Sequence, residues 1–567
     1  MKKSFPMGHK ERRIYLSSVS GVATTKTELI SWFDKNVPSL DIFTTKSFQV
    51  SKNNGNREPV ICETESGNFG NSVGLRNPGM DYALPELKEL RKNGFNKWLN
   101  VSLSADNPDD FITLVKAFDE VADSVELNFS CPHAKKGFGA SIGVDIDIAG
   151  DYVEKIHNAT KDRNSLLFIK LTPNVDNIGE IAQRVIAMGA DGISAINTVG
   201  PDLHIDPVSN TPILQNALGG KGGKSGRWVF DKAIQSIKEI RRYISDDVPI
   251  IGMGGVWSER ECAAFVEAGA DAVGVGSVLG HVRQPNWPSF FSFLKDGGNK
   301  ILNGEECEYL SSQFVLNERQ MEYRKHIVKE KKFHSDDTIL LTLEGEVENF
   351  KAGEFVFLWI PGVGEKPFSL ALTSPLTFIV KKRGIFTSYI FSSLKEGDDI
   401  YIRGPYGAEV KRPQAEKALI IAGGTGEAVA LPLAVELEKD GTEMSFLVGT
   451  SVDGDRGILE KELSKYGKYK ALSDNGKPGR VLSLLPEGIK ETGKDGVYYL
   501  IGPEIFMKIA SSTLKAEGIS PERILLSMER NTMCGIGLCG ECSCGGHLEC
   551  QWGTFMTLSF LEKEGAL

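Results

Sequence analysis

Between about residues 95 and 280, short apolar runs alternate with amphipathic stretches, and this rhythm limits the folds open to the chain more than any other feature. KWLNVSL, SVELNFS, LLFIKLT, GISAIN, VPIIGMGG and DAVGVGS read as strands buried on both faces. NPDDFITLVKAFDEVAD and NIGEIAQRVIAMGA read as helices, with an Asn-Pro-Asp-Asp entry and a Gly-Ala-Asp-Gly exit. Continuous apolar strands separated by helices require a parallel sheet covered by helices. A doubly wound sheet fits that pattern. Polar Asn, Cys, Lys and Gly recur just past strand ends in a half of ~300 residues, which favours a (β/α)8 barrel, a TIM barrel, with its site on the C-terminal rim.

After about residue 305 the rhythm changes. FHSDDTILLTLEGE, GEFVFLWIPG, PFSLALT, LTFIVKKRG and DDIYIRGPYG are alternating strands with Gly/Pro turns, expected to form a small antiparallel β-barrel over 306–413. KALIIAGGTGEAVALPLAVEL then gives strand, Gly-rich turn and helix, the start of an α/β nucleotide-binding domain over 414–525. A cysteine module fills 526–567, and the TIM barrel takes 1–305. The whole is an α/β chain.

Composition narrows the class. Of 567 residues, 25% are charged and 41% hydrophobic, which excludes a wholly disordered chain, a collagen or a coiled-coil rod. Formal charge is -10, with 65 Lys+Arg against 75 Asp+Glu, so no nucleic-acid partner is expected. No apolar run approaches the ~18 residues of a membrane helix, and no apolar stretch follows the N-terminal lysines, so neither membrane nor secretion is expected. Five of the nine cysteines crowd the C-terminal end, which reads as a metal site in a reducing cytoplasm.

Three stretches of the first half carry chemistry. One is Thr45-Lys46-Ser47 with the later NSVGLRNPG, Asn71 to Gly79. Another is Asn128-Phe129-Ser130-Cys131-Pro132-His133, at a strand end. The third is a set of glycine turns after apolar strands: Gly222 to Gly226, Gly252 to Gly255 and Gly274 to Ser277, fit to cradle a phosphate with backbone N–H groups. Together these residues resemble dihydroorotate dehydrogenase of the soluble, flavin-dependent class, over about residues 10 to 295. The resemblance implies FMN held by Ser20, Lys46, Ser47, Asn100, Asn128, Lys170, Ile196, Gly226, Gly254, Gly255, Gly276 and Ser277. It implies a planar pyrimidine held by Lys46, by the Asn71, Ser72, Val73, Gly74 and Leu75 loop, and by Asn128, Asn197 and Thr198. Cys131 occupies the place of that class's catalytic base. A thiol serves as a base where its surroundings stabilise the thiolate, and asparagines offer an imide ring both donors and an acceptor. One departure is His133, where the family usually has Asn. Ser-Cys-Pro-His resembles dihydropyrimidine dehydrogenase, whose acid cysteine lies in the following loop; here that loop, KKGFGASIGVD, has none. At that place His133 is expected to bind the substrate, donating to a ring carbonyl.

At the other end, Cys534, Cys539, Cys542 and Cys550 have C-x4-C-x2-C-x7-C spacing, the plant-type [2Fe–2S] arrangement. A four-thiolate zinc site prefers paired C-x2-C knuckles, and only one exists here. Cys544, two positions past Cys542, is left out. The preceding stretch resembles the ferredoxin-reductase superfamily, above all the electron-transfer subunit that partners NAD-linked dihydroorotate dehydrogenase. Lys366-Pro367-Phe368-Ser369 matches its Arg-Pro-x-Ser flavin signature with Lys for Arg, a point charge in place of a bidentate fork. Ile379, Val380, Lys381, Gly384 and Thr387 match the next flavin-contacting strand and turn, implying FAD. AGGTGEAVALPLA, SDNG and IGPEIFM fit NAD contacts. The expectation is one chain fusing two subunits: dihydroorotate is oxidised, and electrons pass from FMN through [2Fe–2S] to FAD and NAD+. The alternative is an NAD(P)H-dependent reductase of another pyrimidine or cyclic enone. A homodimer through the TIM barrel is implied by the same likeness.

Overall fold

The computed structural model describes residues 3–129, 142–451, 454–474 and 479–567. It divides into two compact units. The first is Met1–Glu322 with Ile536–Glu541, and the second is Tyr323–Gly535 with Cys542–Leu567.

In the first unit eight parallel strands close into a barrel: β1 (Leu16–Ser18), β2 (Leu40–Thr44), β3 (Trp98–Leu103), β4 (Ser124–Asn128), β5 (Leu166–Lys170), β6 (Gly192–Ala195), β7 (Ile250–Met253) and β8 (Ala272–Val275). Each strand pairs with its neighbour in sequence, and β8 returns to β1. A helix follows each strand, and Asn107 caps the one at Pro108–Phe118 by accepting from the Asp110 amide at 2.8 Å. Outward residues such as Val125, Leu127 and Ile169 are fully buried against the helices, which is why the strands read as apolar. The interior is more polar than that reading implies: Asn100, Ser102, Ser124, Glu126 and Ser194 are all buried there. Segments inserted after β2 and β6 form a four-stranded antiparallel sheet, ordered Ile61–Glu65, Asn68–Asn71, Lys221–Gly226, Val199–Leu203.

The first unit extends beyond residue 305 because long-range hydrogen bonds retain the connecting chain. Ser311 donates to Glu259 from its amide at 2.8 Å and its hydroxyl at 2.6 Å. Buried Glu63 accepts from the amides of Gln320 and Met321 at 2.6 and 3.1 Å.

The second unit opens with a seven-stranded antiparallel half-barrel. Its strands are β9 (Arg324–Phe333), β10 (Thr338–Leu343), β11 (Phe355–Ile360), β12 (Gly364–Phe368), β13 (Leu372–Thr373), β14 (Leu376–Lys381) and β15 (Asp399–Tyr406), in the order β12-β11-β15-β9-β10-β14-β13. Val356, Leu358, Phe378 and Val380 are among its core residues. A six-stranded sheet follows: β16 (Lys417–Gly423), β17 (Glu443–Thr450), β18 (Gly467–Ser473), β19 (Val497–Ile501), β20 (Ile524–Ser527) and β21 (Phe555–Thr557). It is ordered β18-β17-β16-β19-β20-β21, parallel except for β21, with apolar cores on both faces. No helix among the described residues is long and apolar enough to cross a membrane.

Candidate active site and redox centres

The C-terminal ends of the barrel strands and the inserted sheet enclose one cavity. Lys46 and Ser47 follow β2, Asn128 ends β4, Lys170 ends β5, and Ile196, Asn197 and Thr198 follow β6; all line it. So do Ser20, Gly226, Gly254, Gly255, Gly276 and Ser277 on one part of the wall, and Asn71, Val73, Gly74 and Leu75 on another. Residues separated by up to 257 positions are thus gathered, because each sits at or just beyond a strand end. Gly254 and Gly255 turn the chain after β7 with φ of 129° and 76°. A Cβ on Gly255 would lie 2.7 Å from Phe230, so only glycine fits this turn.

Two expected residues do not line the cavity. Asn100 lies inside the barrel, where it donates to Thr44 at 3.2 Å and accepts from Ser124 at 2.7 Å. Ser72 is turned into the amides of Asn56 and Asn216, at 2.9 and 2.6 Å. Cys131 and His133 lie outside the described residues.

A hydrogen-bond chain underlies the cavity. Asn197 donates to Asn128 at 3.2 Å, Asn128 to the Ser47 hydroxyl at 3.3 Å, and Ser47 lies 3.1 Å from Ser20 and 2.9 Å from Ser102. Among the described residues, three lysines and no acid line the cavity: Lys46, Lys170 and Lys224. Lys224, on the inserted sheet beside Gly70 and Val199, was not singled out from the sequence. It pairs with Asp202 and lies over the Trp228 ring. Leu538 also lines the cavity, and no local pattern marks it out. Its carbonyl accepts from the Ala23 amide at 2.8 Å, while the Cys539 carbonyl accepts from Thr25 at 3.1 Å. A cationic floor, glycine turns and paired asparagines suit a phosphate-bearing flavin beside a planar, multiply hydrogen-bonding ring.

In the second unit another cavity gathers Lys366, Pro367, Phe368, Ser369, Ile379, Lys381, Gly384 and Thr387. Val380 is the exception: strand alternation turns it into the half-barrel core, where it is wholly buried. Arg383 lines the cavity too, though no motif in the sequence marks it. It supplies a planar guanidinium near Lys366, which has none. The amides of Arg383 and Gly384 donate to Thr387 at 2.8 and 3.1 Å, opening the helix Ile385–Ser392 toward the same space. A helix N-terminus with four cationic side chains, Lys366, Lys381, Arg383 and Arg530, suits a diphosphate, so the donor set fits FAD. Glu529 also lines this cavity, and burial raises its carboxyl above the usual range.

The Gly-rich turn leads from β16 into the helix Glu427–Lys439. Its first residue, Glu427, accepts from the amides of Ile458 and Leu459 at 2.9 and 2.8 Å, and burial raises its carboxyl to about 7. Of the SDNG stretch, Ser473 ends β18 and Asp474 accepts from the Gly479 amide at 3.0 Å; Asn475 and Gly476 lie outside the described residues.

Cys534, Cys542 and Cys550 are buried together, with the last two sulfurs 3.3 Å apart. Burial, and then the Cys534 and Cys542 thiols, pushes the Cys550 thiol up. Cys539 is buried in the segment that belongs to the first unit. Cys544 lies in the apolar core, with Arg530 donating to its sulfur at 3.9 Å. Among the described residues no group of three His, Cys, Asp or Glu forms a metal cage. The soft, buried thiols at Cys534, Cys542 and Cys550 have the donor chemistry an iron–sulfur cluster takes.

The dihydroorotate dehydrogenase family profile matches residues 13–289. The catalytic subunit of dihydroorotate dehydrogenase B (NAD(+)) from Methanocaldococcus jannaschii is 39% identical over 236 residues, 41% of this chain and 74% of that protein. Its counterpart from Methanothermobacter thermautotrophicus is 37% identical over 41% of this chain and 74% of its own length. Dihydroorotate dehydrogenase A (fumarate) from Lactobacillus delbrueckii subsp. bulgaricus is 36% identical over 43% of this chain and 76% of its own length.

Proposed function

Because the chain belongs to the dihydroorotate dehydrogenase family, we propose that it oxidises (S)-dihydroorotate to orotate in pyrimidine biosynthesis and passes the electrons within one polypeptide to NAD+. The observation that supports this most is the barrel cavity that gathers the glycine turns, three lysines and the Asn128–Asn197 pair. Ser20, Ser47, Gly226, Gly254, Gly255, Gly276 and Ser277 hold FMN on that reading. Lys366, Arg383, Ser369 and Thr387 hold FAD, and Cys534, Cys539, Cys542 and Cys550 hold [2Fe–2S]. When bound, these groups supply hydride acceptance at FMN, one-electron relay at the cluster and hydride delivery from FAD to NAD+.

The chain's own residues do the rest. Asn128 and Asn197 hold the pyrimidine's imide edge flat, with their amides already oriented by each other. Lys46 and Lys224 offer positive charge to its carboxylate. Cys131 takes the proton from C5 as the hydride leaves C6, so two electrons and two hydrogens leave the ring as its C–C bond becomes double.

His133 favours a second reading, reduction of a pyrimidine without a carboxylate. Anaerobic titration of the purified full chain with dihydroorotate, dihydrouracil and dihydrothymine separates the two. Bleaching of the flavin by dihydroorotate alone is expected. Bleaching by dihydrouracil and not by dihydroorotate would transfer the assignment to the second reading.

A further inference from the structure

One acidic residue is buried in the barrel interior behind the cavity wall. Glu126, in the middle of β4, is 0% exposed. Its Oε1 accepts from the Ser102 hydroxyl at 3.0 Å and lies 3.8 Å from the ammonium of Lys170, which lines the cavity. Its Oε2 has no partner among the described residues. Burying a carboxylate costs several kcal/mol unless it is paired, and an apolar residue would fill the same interior without that cost. Its position therefore calls for a role beyond packing.

The hydrogen bonds show how far its effect extends. Paired with Lys170, the carboxylate only accepts, so Ser102 spends its one hydroxyl hydrogen on it. Ser47 must then donate to Ser102, and its own lone pairs take the hydrogens of Asn128 and Ser20. One buried charge thus gives direction to a chain that ends at the cavity wall.

We infer that Glu126 is a positioning residue that acts through Lys170 and Ser102, setting both the net charge and the hydrogen-bond polarity of the surface on which the barrel's flavin lies. This rests on the FMN reading above. The carboxylate offsets the Lys170 charge beneath the cavity, so the reduced flavin, which carries more negative charge than the oxidised, is held at a lower potential than Lys170 alone would give it.

The test is an anaerobic spectroelectrochemical titration of the flavin-loaded full chain. Lys170→Met identifies the barrel flavin as the wave that moves down. Glu126→Gln leaves Lys170 uncompensated and should move the same wave up. A unit charge within ~10 Å at an effective dielectric of ~20 is worth about tenfold in the reduced-to-oxidised ratio, ~30 mV for a two-electron couple. Should Glu126→Gln not fold, Glu126→Asp, which withdraws the carboxylate by one methylene, should move the wave the same way by less. A bound flavin whose wave stays in place or falls overturns this inference and leaves the FMN reading standing. A wild-type barrel that takes up no flavin overturns both.

Discussion

Arg403, wholly enclosed in the second unit, shows how much one side chain can organise. Its guanidinium donates from Nε and Nη2 to the two oxygens of Glu365 at 2.6 and 2.7 Å. Nη1 reaches the Cys534 carbonyl at 2.7 Å, so the same group anchors the first cysteine of the terminal module. Arg403→Met leaves Glu365 buried and uncompensated and should cost about 3–5 kcal/mol of that unit's stability, read as a lower denaturation midpoint. Adding Glu365→Met should restore most of it. Cys131 carries a different prediction. Cys131→Ala should slow flavin reduction by dihydroorotate roughly 10²–10⁴-fold in stopped flow while FMN stays bound, because the flavin contacts are spread over many backbone groups. A loss under about tenfold, with a large one for His133→Ala, would move the base to the histidine. At this scale the sequence was legible where a motif stood at a strand end: Lys46, Asn128 and Asn197 meet in the cavity. Glu126, Lys224 and Arg383 were not, since each owes its place to a neighbour distant in the chain or to the direction its strand or turn faces.

At the scale of elements, β3 to β8 were readable because their outward faces are apolar and packed by helices. β1, three residues reading LSS, and β2, reading LDIFT, lack that signature and are held by their pairing with β8 and β3. The helix Glu427–Lys439 yields a pH prediction. Its Glu427 carboxyl is raised from 4.5 to about 7 by burial, against the pull of two backbone amides. Between those values the folded chain keeps a proton that the unfolded chain releases, so stability is fullest below about 4.5 and falls as pH rises to about 7. The span corresponds to up to about 3 kcal/mol. Glu427→Gln should flatten that part of the profile in melting curves taken across it. An unchanged slope would mean the carboxyl ionises as readily folded as unfolded.

For the whole molecule, the change of rhythm marks a division near residue 305, but the first unit runs on to Glu322 because Glu63 and Glu259 retain the connecting segment through contacts no local pattern displays. On the proposed electron route, Cys534→Ser should abolish NADH formation from dihydroorotate while leaving the first flavin reducible. Equal loss of both half-reactions in a folded protein would count against that route.

The residues Ile536–Glu541 return to the first unit after more than two hundred residues spent in the second, so no single cut in the gene yields both halves intact. A fragment ending at residue 322 would lack Leu538 from its cavity wall and Glu541 as the partner 3.4 Å from Arg76. It should hold its flavin less tightly than the full chain does, and supplying residues 323–567 as a separate polypeptide should restore retention. Equal retention by the fragment alone would show that the borrowed segment is dispensable. Otherwise the two units are inherited together, and recombination that swaps either half for a relative's must carry the six-residue segment with the barrel it completes.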